Sequence, residues 1–286
     1  MRLRLDLAYD GTDFHGWARQ PSLRTVQGTL EAALARVLRV DAVPVTCAGR
    51  TDTGVHARGQ VVHLDTDEPS LAAAAGHSAA PPVEALLRRL NGLLPADVRA
   101  LRAVHAPPGF DARFAALWRR YAYRIADAPE LVDPLARGSV LGWPRRLDLA
   151  RMNEAASLLL GEHDFAAFCR RREGDTTFRT LLDLSWARDH RGVAVATVRA
   201  DAFCHNMVRA LVGAMIAIGE GRQEPAWAGE VLRRGVRDPG VTVVRARGLT
   251  LEEVAYPADD ALAARARATR TVRVLSTLGP EGRPDG

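Results

Sequence analysis

"TLLDLSWARDHRGVAVATVRAD", residues 180–201, decides the fold class. TLLDLSWARD and GVAVATVRAD flank His190-Arg191-Gly192 and read as an antiparallel pair joined by a short turn. Upstream, RRYAYRI (119–125) is a strand and DLARMNEAASLLLG (148–161) a helix ending at Gly161. Downstream, CHNMVRALVGAMIAIG (204–219) is a long helix and GLTLEEVAYP (248–257) a final strand. The first half has the same grammar without sequence repetition. In MRLRLDLAYD, Leu3, Leu5, Leu7 and Tyr9 alternate with Arg2, Arg4, Asp6 and Ala8, as in a half-buried strand. DGTDFHGW (10–17) is a loop. TVQGTLEAALARVLRV (25–40) places Val26, Leu30, Ala33, Leu34, Val37 and Leu38 on one helical stripe behind a Thr25 cap. VPVTCAG (43–49) and GQVVHLD (59–65) read as strands, SLAAAAGHSAAPP (70–82) as a low-complexity surface excursion, and VEALLRRLNGLLP (83–95) as a helix stopping at Asn91-Gly92. Strands joined by hairpins and mixed with helices predict an α+β fold, with helices on one face of an antiparallel sheet.

The bulk composition narrows the function classes. The chain has 286 residues, 47% of them hydrophobic and 26% charged, which is ordinary globular composition. No apolar run reaches the ~18 residues of a membrane span, and the N-terminus is not a signal peptide, so a cytoplasmic protein with no membrane contact is expected. Cys47, Cys169 and Cys204 are far apart and odd in number, which argues against both a disulfide framework and a zinc site. Net charge is +5, and every one of the 39 cationic side chains is arginine. Arginine clusters fall at 88–89, 119–120, 145–146, 170–172 and 233–234. The planar guanidinium fork suits phosphates and stacks on bases, so a nucleic-acid partner competes evenly with scattered, solvated arginines.

Asp52-Thr53-Gly54 spells the loop signature of an aspartic protease. Such an enzyme needs two carboxylates sharing a proton, yet the triplet occurs once here and is preceded by Gly49, Arg50 and Thr51, not apolar residues. By itself the triplet reads as an Asx-type turn between strands, with Gly54 at positive φ. The wider window is far more specific. CAGRTDTGVHARGQVVHLDT (47–66) resembles the active-site segment of the TruA-type tRNA pseudouridine synthases, matching AGRTD-x-GVH-x-x-GQV-x-H at every fixed position. AYDGTDFHGWARQPSLRTVQGTLEAAL, FDARFAALWRRYAYRI, LLGEHDFAAFC and ADAFCHNMVRALVGAMIAIG resemble further blocks of that family, in order. The resemblance covers residues 1–257. Thr53 stands where the family usually has alanine, and the 70–82 segment, VVRARGLTLEEV and the tail also depart from its pattern.

The resemblance implies two ferredoxin-like or RRM-like α/β halves sharing one central, mainly antiparallel sheet, with helices on one face and an active-site cleft on the other. Residues 1–115 would form the half carrying the catalytic loop, and 116–257 the half completing the site. Residues 258–286 would be an Arg-rich, partly disordered tail. It also implies an isomerase that converts uridine to pseudouridine at positions 38, 39 and 40 of the tRNA anticodon stem-loop, acting as a homodimer that grips tRNA with both subunits. The reaction moves a glycosidic bond from N1 to C5 without redox change or phosphoryl transfer, so neither a cofactor nor a nucleotide is expected. The sequence agrees: GEGRQE (219–224) lacks the third glycine of a dinucleotide loop and reads as a helix C-terminus followed by a turn.

By that resemblance Asp52 is the catalytic nucleophile or base. A carboxylate in a dry base pocket needs a facing cation, and Arg209 is the candidate. In the helix 204–219, Cys204, Val208, Leu211, Val212, Met215 and Ile218 make one apolar face, while His205, Arg209 and Gly213 lie on another. An arginine amid so apolar a helix should have a partner, unless it snorkels to solvent. Gly213 would let another backbone or a ligand come close. The resemblance assigns Tyr121 to stacking on the target base, against the default of a core tyrosine. It assigns Arg50 to holding the extruded nucleotide, against a bracing role in the loop. His56 and His63 have no third ligand at usable spacing, so no metal is assigned. A non-catalytic RNA-binding protein on the same scaffold is the competing class, and it would have no reason to retain Asp52, Tyr121 and Arg209 together.

Overall fold

The computed structural model describes residues 1–76, 78–170 and 176–275. Arg171, Arg172 and His77, which belong to segments read above, lie outside them. The fold is α+β. Its strands are β1 (Arg2–Tyr9), β2 (Val45–Cys47), β3 (His56–Asp65), β4 (Val98–His105), β5 (Trp118–Ala126), β6 (Leu141–Gly142), β7 (Gly161–Asp164), β8 (Phe178–Arg188), β9 (Ala194–Ala200) and β10 (Leu249–Ala255). Its helices are α1 (Val26–Leu38), α2 (Glu68–Ala75), α3 (Pro82–Leu93), α4 (Leu149–Ser157), α5 (Met207–Gly219), α6 (Pro225–Arg234) and α7 (Leu262–Leu275).

Among the described residues the ten strands join one mixed sheet, ordered β4-β1-β3-β10-β5-β9-β8-β7, with β2 on β3 and β6 on β5. The pairings are antiparallel except β10 on β3 and β6 on β5. The hairpin around His190-Arg191-Gly192 forms as expected, pairing Arg188 with Ala194 and Trp186 with Ala196. Leu3, Leu5, Leu7 and Tyr9 are buried. Each apolar position read on α1 is buried too, and Thr25 caps that helix by accepting a hydrogen bond from the Gly28 N–H.

Strands from the early and late parts of the chain meet where β10 lies between β3 and β5. Gly59 of β3 makes that seam possible, because a Cβ there would sit 2.2 Å from the Glu252 carbonyl oxygen. Ion pairs cross the same seam: Glu252 binds Arg58 at 2.9 Å and Arg124 at 2.7 Å, and Glu253 binds Arg120 at 3.0 Å. Arg119, Tyr121, Tyr123 and Ile125 alternate with these arginines on β5 and form its buried face.

Four local expectations change. Within 70–82, α2 buries Leu71 and Ala74 behind an Asp67 cap, so half of the supposed excursion is a packed helix. Alanine is the best helix former, and repetitive composition hid that. Helix α3 runs through Asn91-Gly92, and Asn91 both donates to and accepts from the Ala100 backbone, tying the helix to β4. Helix α4 ends at Ser157, before Gly161, which instead opens β7. The tail does not hang free over 262–275. It forms α7, which buries Leu262 and Ala266 and bonds Arg270 to Asp111 at 2.7 Å. The expectation of disorder beyond that helix falls on 276–286, outside the described residues.

Candidate active site

Asp52 sits in the loop between β2 and β3, and that loop is held on all sides. The Thr51 carbonyl accepts from the Trp17 N–H at 2.9 Å, and the Thr51 hydroxyl lies 2.8 Å from that of Tyr9. Gln60 donates to the Gly49 carbonyl at 2.7 Å. A turn closes as the Val55 N–H reaches the Asp52 carbonyl at 3.1 Å, with Gly54 at φ +77°. Arg119, buried on β5, donates to the carbonyls of Ala48, Arg113 and Asp201, and so ties this loop to the second half of the chain. A buried arginine whose donors are spent on carbonyls is a brace.

Helix α5 brings a cation, and the turn ahead of it brings a histidine. Arg209 Nη1 lies 3.9 Å from Asp52 Oδ2, and His205 Nε2 lies 3.5 Å from Oδ1. The expected pairing of Asp52 with Arg209 is therefore present as a charge contact longer than a hydrogen bond. Arg209 is fixed by donating from Nε to the Val244 carbonyl at 2.6 Å and from Nη1 to Asn206 Oδ1 at 3.4 Å. Gly213 allows this. A Cβ there would meet the Thr242 carbonyl oxygen at 1.8 Å, so the 242–244 backbone can lie on the helix only because the side chain is absent.

These groups line a cavity of about 430 Å³ whose wall includes Asp52, Tyr121, Phe203 and His205. Among the described residues, five arginines also line it, Arg50, Arg113, Arg119, Arg179 and Arg209, against Asp52 as the one carboxylate. Such a wall favours a polyanionic ligand. Tyr121 is buried, and the Phe203 ring stands edge-on to it with centroids 5.2 Å apart. Burial, reinforced by the Asp52 charge, pushes its phenol well above the ordinary 10, so it is neutral at physiological pH. Arg50 is exposed at the rim.

The cavity does not open on the face opposite the helices. Tyr121 projects to the same side of β5 as the buried Tyr123 and Ile125, and the lining includes Gln27 of α1 and Met207–Arg209 of α5. The site occupies the gap between those helices, because its cation comes from a helix and its aromatic wall from the sheet beneath. The cysteine expectation also fails for one pair. Cys169 and Cys204, separated by 35 residues, form a disulfide with Cα atoms 5.7 Å apart. Spacing alone hid this, since the fold brings the segment after β7 to the entrance of α5.

His56 and His63 bond backbone groups, and His56 Nδ1 also lies 3.0 Å from Asp10 Oδ1. His56 accepts from the Gly11 N–H at 3.0 Å, with its other nitrogen 2.9 Å from the Gly138 carbonyl, and His63 accepts from the Ala112 N–H at 3.0 Å. Among the described residues no three His, Cys, Asp or Glu side chains are placed to hold a metal, and no helix is long and apolar enough to cross a membrane. Two contributors escaped the sequence reading. Arg119 stands at a fixed position of the FDARFAALWRRYAYRI block, but no role is read for it there. His205 stands just ahead of α5, four residues before Arg209, and that spacing is noted in the sequence without a role attached to it.

The family model described as "tRNA pseudouridine synthase" matches residues 7–114 and 155–257. The tRNA pseudouridine synthase A of Streptomyces griseus is 62% identical over 281 residues, covering 98% of this chain and 96% of that protein. The enzyme of the same name from Frankia casuarinae is 60% identical, with 97% of each chain covered. That of Mycobacterium leprae is 50% identical, with 96% of each covered.

Proposed function

Because the chain belongs to the tRNA pseudouridine synthase family, we infer that it is an isomerase converting uridine in tRNA to pseudouridine. The reaction breaks the N1–C1′ bond, turns the base and rejoins it through C5, whose proton is released. Electrons balance within the nucleotide, so the chemistry asks for a carboxylate, a cation and a dry pocket for an extruded base, and not for a redox or phosphoryl-transfer group.

Asp52 is the nucleophile or base. One observation carries this assignment: Asp52 faces His205 and Arg209 inside a cavity that five arginines help to line, with Tyr121 in its wall. Arg209 stabilises the ionised carboxylate in that water-poor setting. Tyr121 offers a neutral aromatic surface to the target base and keeps water from it. Arg50, exposed at the rim, holds the extruded nucleotide. The preferred substrates are uridines 38, 39 and 40 of the anticodon stem-loop, bound by a cytoplasmic homodimer. This placement rests on family resemblance and on the breadth of the arginine surface. Residues 1–115 and 116–257 are read as two ferredoxin-like halves joined at the β3–β10–β5 seam.

The test is pseudouridine formation in an unmodified tRNA transcript with purified protein and no additive. Asp52→Asn keeps the shape but cannot supply an ionised oxygen. It should remove turnover and leave tRNA affinity within about threefold, since removing one uncharged-substrate contact costs little binding. A variant retaining a tenth of wild-type turnover would show that Asp52 is not the catalytic group. Binding without modification by the wild type would make this an RNA-binding protein.

A further inference from the structure

Asp52 is touched by two groups from α5 and its entrance, and they take different oxygens: His205 Nε2 is 3.5 Å from Oδ1, and Arg209 Nη1 is 3.9 Å from Oδ2. Neither the helical pattern nor the placing of Arg209 requires this second contact. The histidine is also held in place. Its carbonyl accepts from the Arg170 N–H at 2.9 Å, its neighbour Cys204 is bonded to Cys169, and Asn206 beside it adopts the left-handed conformation at φ 68°. Asparagine is one of the few non-glycine residues that enter that region routinely. Here it turns the chain so that the His205 imidazole, 17% exposed, meets Asp52 before α5 begins. Arg209 has Nε and Nη1 spent on Val244 and Asn206, which leaves it a charge partner more than a directional one.

We propose that His205 is a positioning residue: its Nε2–H holds Oδ1 of Asp52, fixing the rotation of the carboxylate so that Oδ2 stays between Arg209 and the bound nucleotide. This rests on the reading of Asp52 as the catalytic carboxylate. A carboxylate free to turn about Cβ–Cγ presents its reactive oxygen only part of the time. The 3.5 Å separation is long for a hydrogen bond, as contacts in empty catalytic sites often are before substrate closes them.

Single-turnover release of tritium from a tRNA transcript labelled at uridine C5, with enzyme in excess, separates the chemical rate from tRNA affinity. His205→Ala should lower the single-turnover rate by about tenfold to a hundredfold, the scale of a small misplacement of a reacting group. Its tRNA Kd should stay within about threefold, because the contact is not with RNA. His205→Gln, which carries an amide donor near the same point, should recover most of the rate. If the alanine variant does not fold by thermal melting, His205→Phe, which fills the space and cannot donate, replaces it. A wild-type rate in the non-donating variant overturns the proposal, as does a loss confined to Kd. So does a glutamine variant as slow as the alanine one. Asp52→Asn run in parallel separates the failures. If it stays active, the reading of Asp52 falls and the proposal with it; if it is dead while the non-donating variant is normal, only the role of His205 falls.

Discussion

Tyr121 combines two properties that a base-contacting residue needs: its ring is confined by Phe203, and its phenol is kept neutral by burial and by the nearby carboxylate. Stacking on a single base contributes about 1–3 kcal/mol, a small share of the affinity for a whole tRNA. Tyr121→Leu should therefore slow turnover by far more than it weakens binding, measured as single-turnover rate against Kd; equal losses in both would make Tyr121 a binding residue only. Asp52, Tyr121 and Arg209 were legible in the sequence because each sits inside a long fixed motif. His205 was not, although it is four residues from Arg209. Its approach to Asp52 depends on the left-handed Asn206 and the anchored Cys204, and no periodicity encodes such a turn.

Helix α5 shows how an element can be legible while its surroundings are not. Its apolar face and its odd arginine are plain from spacing, and Gly213 suggests a close neighbour without naming one. That neighbour is the extended segment 242–244, whose Val244 carbonyl anchors Arg209. Gly213→Ala would drive a methyl into the backbone oxygen of Thr242, where no side-chain rotation can relieve it. Overpacking of this kind costs about 1–3 kcal/mol and occasionally more, and a backbone obstacle places this site at the upper end. Urea denaturation should show that loss, with turnover falling alongside because Arg209 loses its anchor; an unchanged midpoint would mean that the segment moves aside freely. Helix α2 was illegible for the opposite reason. Its alanine run carries little amphipathic contrast, and its buried residues, Leu71 and Ala74, are selected by what they pack against.

At the scale of the whole molecule, an arginine-lined cavity and arginine pairs spread along the chain suit recognition of a folded RNA by shape and phosphates. The affinity for tRNA should fall steeply with salt, with a log–log slope of about −3 to −6 for roughly four to eight phosphates neutralised. Arg50→Ala, at the rim, should reduce that slope by about one unit and weaken different tRNAs alike. A flat salt dependence would contradict a phosphate-dominated interface. The α+β class was legible from hairpins and helices alone. The strand order was not, because the pairing of Thr250 with His56 joins segments nearly two hundred residues apart, and nothing local in either strand specifies the partner.

That pairing gives the chain a history as well as a shape. β10 follows every other strand in the sequence yet lies in the middle of the sheet, between β3 and β5. During synthesis from the N-terminus, the hairpins and helices of both halves emerge while this slot is still empty. The Asp52 loop and the α5 entrance exist by then, but the strand that aligns one half against the other has not left the ribosome. Insertion of β10 is thus a late event that turns two partly formed halves into one site. A nascent chain can carry Asp52, Tyr121 and Arg209 and still lack the sheet that brings them together until its last strand arrives.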